Sequence, residues 1–128
     1  MKITILDRNT LGEDLDISVI TEMGNVTVFD RTPPEKVAEN IDDSDVIILN
    51  KVKLNESNLS EAKNLKLICV AATGYDNIDV EYCRSKGIAV ANVCGYSTDS
   101  VALFTVANVL SLYTHLREYN AYVTTGEY

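Results

Sequence analysis

Leu67-Ile-Cys-Val-Ala-Ala-Thr-Gly-Tyr-Asp-Asn-Ile-Asp79 is the stretch on which the fold turns. Its first half, Leu67 to Ala72, is an unbroken apolar run of strand length that empties into Thr73-Gly74. Asp76, Asn77 and Asp79 follow as candidate helix caps. A glycine here lets the chain turn sharply and keeps a Cβ out of the way of a ligand approaching main-chain N–H groups. The pattern then repeats as a strand, Ile88-Ala-Val-Ala-Asn-Val93, a loop, Cys94-Gly-Tyr-Ser-Thr98, and a long apolar helix. Two loops holding a glycine and hydroxyls, at the same edge of a parallel sheet, point to a small anionic ligand. Gly74 and Gly95 also read as turn residues and nothing more.

Outward from this pair, strand and helix alternate. Lys2-Ile-Thr-Ile-Leu-Asp7 is a short strand whose near-continuous apolar run suits a sheet covered on both faces. A helix through Leu15, Ile17, Val19 and Ile20 is expected to stop at Gly24. Asn25 to Phe29 alternates enough for an edge strand. Thr32-Pro33-Pro34-Glu35 reads as a helix start with a Thr cap and Pro at the first helical position, and that helix runs through Val37, Ala38 and Ile41. Asp45 to Asn50 is aliphatic enough to be a central strand. A short helix around Ser57 to Lys63 follows, and another from Asp79 to Lys86 is closed by Gly87. This rhythm predicts an α/β fold, a doubly wound parallel five-stranded sheet of flavodoxin-like order 2-1-3-4-5. Ligands in such sheets bind beyond the carboxyl ends of the strands, where the strand order reverses. That rim carries Asp7-Arg8, Asn50-Lys51-Val52, Thr73-Gly74 and Gly95-Tyr96-Ser97. Lys51, just after the buried central strand, is the best single contact for a carboxylate, although it also reads as a solvated surface charge.

With 128 residues the chain is one domain's worth, and 46% hydrophobic against 23% charged residues argues for a folded protein rather than a disordered one. A net charge of −8 argues against nucleic acid and anionic membranes as partners. It also requires any anionic ligand to be held by local donors. Cys69, Cys83 and Cys94 are odd in number and lack Cys-x-x-Cys spacing, so neither a disulfide framework nor a metal site is indicated. Met1 leads straight into a strand without a signal-peptide pattern, and a reducing cytoplasm is the expected location.

From Ser100 to Leu116 the chain is apolar nearly all round, with Thr98 or Asp99 as its cap. A helix apolar on every side needs burial on every side. The sheet covers one face at most and the segment is too interrupted for a membrane span; a partner domain or a second chain is the expected account, with a homodimer through this helix as the favoured form.

These pieces resemble the N-terminal part of the D-isomer-specific 2-hydroxyacid dehydrogenases, most closely the glycerate dehydrogenase (hydroxypyruvate reductase) branch. The residues that carry the resemblance are Asp30-Arg-Thr-Pro-Pro-Glu35, Asn50-Lys-Val-Lys-Leu54, Ala72-Thr-Gly-Tyr-Asp-Asn-Ile-Asp-Val80 and Gly87 through Ala102. The resemblance implies a substrate-binding domain over residues 1–98. Residues 99–128 would be a hinge and a long helix beginning a nucleotide-binding domain. It further implies that a small 2-hydroxy or 2-keto acid is held through its carboxylate by main-chain N–H groups at Thr73-Gly74 and by Lys51-Val52. Tyr96 and Ser97 match a loop approaching the active site, and Ser97 to Ser100 match an interdomain hinge. Two residues depart from the family: Cys94 where Pro is usual, and Leu103 where Glu or Gln usually follows Ser-Val-Ala.

The family uses NAD, bound at a Gly-x-Gly-x-x-Gly turn, with a catalytic Arg, Glu and His further along. No such turn occurs in this sequence, and His115, its one histidine, reads as a mid-helix residue. No catalytic residue is therefore expected in this chain, which should be inactive alone. The alternative is a truncated stand-alone binding or oligomerisation module. A phosphoacceptor receiver domain would need Asp after the third strand and Lys after the fifth, where this chain has Asn50 and Asn92-Val93. A catalytic role for Cys94 would need a basic partner, and none is evident nearby.

Overall fold

Five short strands, β1 (Lys2–Ile5), β2 (Asn25–Val28), β3 (Val46–Leu49), β4 (Leu67–Val70) and β5 (Ala89–Asn92), form one sheet in the order β2-β1-β3-β4-β5. This computed structural model describes residues 1–126. Every pairing is parallel, with Lys2 opposite Asn25, Ile3 opposite Val46, Val46 opposite Leu67, and Leu67 opposite Ala89. The helices are α1 (Ser18–Glu22), α2 (Val37–Ile41), α3 (Glu56–Leu59), α4 (Val80–Ser85), α5 (Thr98–Tyr113) and α6 (Leu116–Thr125). The chain divides into two units, Met1–Cys94 and Gly95 onward.

In the first unit, Ile47, Leu49, Ile68 and Val70 on one sheet face pack with Val37 and Ile41 of α2, Leu59 of α3 and Cys83 of α4. The opposite face is less well covered than the sequence suggests. Ile3 and Ile5 are buried there, but burial fades across Val46, Ile48, Leu67 and Cys69 to the exposed Ala89 and Ala91. The short α1 contributes no buried residue to it.

Local side-chain hydrogen bonds move several element ends from their expected places. Asp16 accepts from the N–H and hydroxyl of Ser18, so α1 starts at Ser18 and leaves Leu15 exposed. The Thr32 hydroxyl does not cap α2. It is buried and accepts from Asn40, while a 3-10 turn over Pro34–Lys36 opens the helix. Asn55 caps α3 in a capping box with Asn58, and the helix ends at Leu59 rather than Lys63. Asp79 caps α4 through the Tyr82 N–H, whereas Asp76 and Asn77 cap nothing. Gly24 is not a left-handed stop. A Cβ there would strike the Met1 carbonyl, where the chain enters β2 alongside β1.

The second unit contains α5 and α6. Ser97, not Thr98 or Asp99, stands at the N-terminus of α5, without a side-chain cap. The helix stops at Tyr113 instead of reaching Leu116, because His115 adopts a left-handed backbone (φ 51°) and begins α6. His115 is thus a junction residue, not a mid-helix one. Val101, Leu103, Phe104, Val106, Val109, Leu110 and Leu112 of α5 are all exposed.

Candidate functional site at the carboxyl rim of the sheet

β1, β3 and β4 each end in a polar residue or loop at the same edge, as parallel strands require. The loop that follows β3 is held from two sides. From one side, the buried Asp7 carboxylate accepts from three successive main-chain N–H groups: Asn50 (2.9 Å), Lys51 (2.6 Å) and Val52 (3.3 Å). A cluster of aimed N–H groups is a ready anion site. Here the anion belongs to the chain itself. The N–H groups of Lys51 and Val52, in the loop expected to help hold a substrate carboxylate, already have an acceptor. What the Lys51 position still offers a ligand is its exposed side chain.

From the other side, Asn77 donates its side-chain amide to the carbonyls of Asn50 (3.3 Å) and Val52 (2.7 Å). Leu54 and Ile78 form an isolated parallel bridge, with Leu54 N–H donating to Asn77 and Asp79 N–H donating to Leu54. These bonds tie the loop after β3 to the loop after β4, which brings Lys51-Val52 and Thr73-Gly74 into one rim.

Thr73 and Gly74 are exposed. The Thr73 hydroxyl donates to the Val93 carbonyl and its carbonyl accepts from Asn92, so the turn is anchored to the end of β5. Among the described residues, the N–H groups of Thr73 and Gly74 donate to no group of the chain. They are free backbone donors at this rim. Gly74 does not have a left-handed backbone, and a Cβ on it would make only an ordinary contact with Asp76, 3.6 Å away. Its glycine character is therefore not required by the turn.

Tyr96 and Ser97 lie in the second unit, Tyr96 exposed and Ser97 half-buried before α5. Gly95, just ahead of them, is left-handed at φ 71°. The turn from Gly95 to Ser97 is a poor fit for a dinucleotide pyrophosphate. It holds one glycine, and Asp99 sits in the first turn of the helix it opens, where a second anion would be repelled.

On the far side of the Lys51 loop from Thr73-Gly74, a cavity of about 530 Å³ opens between the loops after β1, β2 and β3. It is lined by neither Thr73 nor Gly74. The sequence points to neither the Asp7 anchor nor the Asn77 staple. The available signal for Asp7 is an acid directly ending a buried apolar strand, which must find donors. Burial holds the Cys69 and Cys83 thiols above their ordinary pKa, for Cys83 with help from the Asp79 charge, and neither has the character of a nucleophile. Cys94 is exposed, and its nearest polar contact is the Asn92 side chain.

Residues 3–125 match the family described as D-isomer specific 2-hydroxyacid dehydrogenase, catalytic domain. A hydroxypyruvate reductase of Blautia hydrogenotrophica is 35% identical over 132 residues, covering 100% of this chain and 41% of that protein. A glycerate dehydrogenase of Methylorubrum extorquens is 28% identical, covering 99% and 40%. Among solved structures, an acyclic imino acid reductase in complex with NADPH and D-Arg superposes with a TM-score of 0.85 at 25% identity, over 98% of this chain and 41% of that one. The chain thus spans about two-fifths of the length of these relatives.

Proposed function

The chain belongs to the D-isomer specific 2-hydroxyacid dehydrogenases, and from that premise we propose that it is their substrate-binding part. The parent enzyme would be an NAD(H)-dependent oxidoreductase interconverting a D-2-hydroxy acid and its 2-keto acid, of the glycerate and hydroxypyruvate class. The reading is supported above all by the rim, where the free N–H groups of Thr73 and Gly74 stand on a turn bonded to the loop that presents Lys51. Fixed backbone donors beside one ammonium suit a carboxylate, because such donors neither titrate nor need reordering. The dinucleotide would supply the hydride, and this chain's residues would bind and orient the acid. The parent is proposed to work in the cytoplasm; among the described residues no helix is long and apolar enough to cross a membrane.

Titrating the 15N-labelled chain with D-glycerate tests the site. The amide signals of Thr73, Gly74 and Lys51 should move, and Lys51→Met should weaken the binding by roughly tenfold, about the worth of one charge-assisted contact. Motionless Thr73 and Gly74 signals at saturating acid would remove the rim from substrate binding. The chain alone should oxidise no NADH with hydroxypyruvate or glyoxylate, and measurable turnover would overturn the fragment reading. A second reading, a stand-alone oligomerisation module, draws on the exposed apolar side chains of α5.

A further inference from the structure

We propose that Asn77 is a positioning residue for the acid-binding rim: its side-chain amide holds Lys51 within reach of a carboxylate seated on the Thr73 and Gly74 N–H groups. The proposal rests on carboxylate binding at that rim and names the residue that assembles it. The Asn77 amide donates to the carbonyls of Asn50 (3.3 Å) and Val52 (2.7 Å), the two residues that flank Lys51. The Asn77 carbonyl accepts from the Leu54 N–H at 2.9 Å. Among the described residues, only the Asp79 N–H bond to the Leu54 carbonyl joins these two loops without Asn77.

Asn77 is itself well fixed. The Tyr75 carbonyl accepts from the Ile78 N–H at 3.0 Å, which closes a turn around Asn77, and Asp79 caps α4 directly after it. Ile78 is buried in the core, and Asn77 is half-buried beside it. The loop that carries Lys51 is otherwise gripped through its N–H groups alone, by Asp7 from the β1 side. A strip of chain held along one edge can pivot about that edge. Asn77 takes the opposite edge, the carbonyls, and removes the pivot.

The side-chain type matters as much as its place. Both partners are carbonyl oxygens, so the residue opposite them must donate, and a primary amide has two N–H groups to give. An aspartate of the same size would set acceptors against acceptors. Precision counts here, because a donor carried from about 2.9 Å to about 3.6 Å no longer bonds its acceptor. Lys51 is exposed and forms no ion pair among the described residues, so nothing but its backbone decides where its ammonium is offered.

The test is a double-mutant cycle read by D-glycerate titration, following the 15N amide signals of Thr73 and Gly74. The parent chain, Asn77→Ala, Lys51→Met and the double variant are compared. Asn77→Ala should weaken binding roughly tenfold, about as much as Lys51→Met does, while the core amides of Ile47 and Ile68 stay in place. The double variant should bind little worse than Lys51→Met alone, because Asn77 acts through the ammonium that is then gone. A merely structural role would weaken binding by the same factor with or without that ammonium, and that result overturns the proposal. Should Asn77→Ala fail to fold, Asn77→Asp fills the same space and should show the same loss and the same dependence on Lys51. Undiminished binding by the folded Asn77 variant overturns the proposal while leaving the carboxylate reading intact. Motionless Thr73 and Gly74 signals in the parent chain itself would remove both.

Discussion

Three consecutive N–H groups aimed at one point will recruit an anion, and at Asn50, Lys51 and Val52 that anion is the buried carboxylate of Asp7. The loop's shape is thereby set before any ligand arrives, and Asp7 acts as a positioning residue. Asp7→Ala should cost about 2–3 kcal/mol of stability, the scale of breaking charge-assisted bonds to a buried group, read from the urea midpoint of the purified chain. An unchanged midpoint would mean that water replaces the carboxylate freely. The glycines separate in the same way. Gly74→Ala should alter stability by less than about 0.5 kcal/mol, because the backbone there is ordinary and the added carbon has room. Gly95→Ala should cost about 1 kcal/mol, because its φ of 71° disfavours any Cβ. Equal losses at the two positions, in parallel thermal melts, would contradict this distinction. From sequence the two glycines look alike; the sign of φ that distinguishes them is not written in the residue type.

Among the elements, strands were easier to read than helix ends. Apolar runs such as Asp45 to Asn50 and Leu67 to Ala72 announce themselves by composition, and each yields a strand in the expected place. Helix ends depend on which neighbouring side chain reaches a free N–H, and Asp16 and Asn55 win that competition locally while Thr32 is drawn away by Asn40. His115 breaks the apolar segment without any proline or glycine to signal it. One residue outside the site joins three strands. Asp45, just before β3, accepts from the Lys2 N–H and from the Lys66 ammonium, while its backbone bonds to Lys2 and Lys66. The Lys2 N–H foremost, and then Lys66, hold its carboxyl below the ordinary value of 3.8. A carboxyl with a lowered folded pKa stabilises above its unfolded value and loses that contribution as pH falls through the folded one. Asp45→Asn should therefore melt lower than the parent at neutral pH, and the gap should narrow as the pH falls below the ordinary carboxyl value of 3.8. A gap independent of pH would show that the charge is not the cause.

For the whole chain, the apolar helix α5 is the feature that composition exposes most plainly and the isolated structure leaves without cover. A symmetric dimer through α5 is the proposed resolution. Sedimentation should give twice the chain mass, and Leu103→Glu with Phe104→Glu should return it to the monomer. A stable monomer of the parent sequence would end that idea. The candidate site was half legible. Lys51 and Thr73-Gly74 follow from the rule that parallel sheets bind at their carboxyl edge, whereas the Asp7 anchor and the Asn77 staple join residues too far apart in sequence for any pattern to pair them.

The strand register also has a consequence in time. β1 is made first, yet Ile3 has no neighbour until Val26 arrives on one side and Val46 on the other. All four pairings are parallel, so none closes through a tight hairpin and each waits on a long crossover. During synthesis the first apolar segment therefore leaves the ribosome and remains without partners until β2 and β3 follow it. Such delayed, non-local closure slows folding and lengthens the interval in which Ile3, Ile5 and Leu6 are open to misassembly and to chaperones.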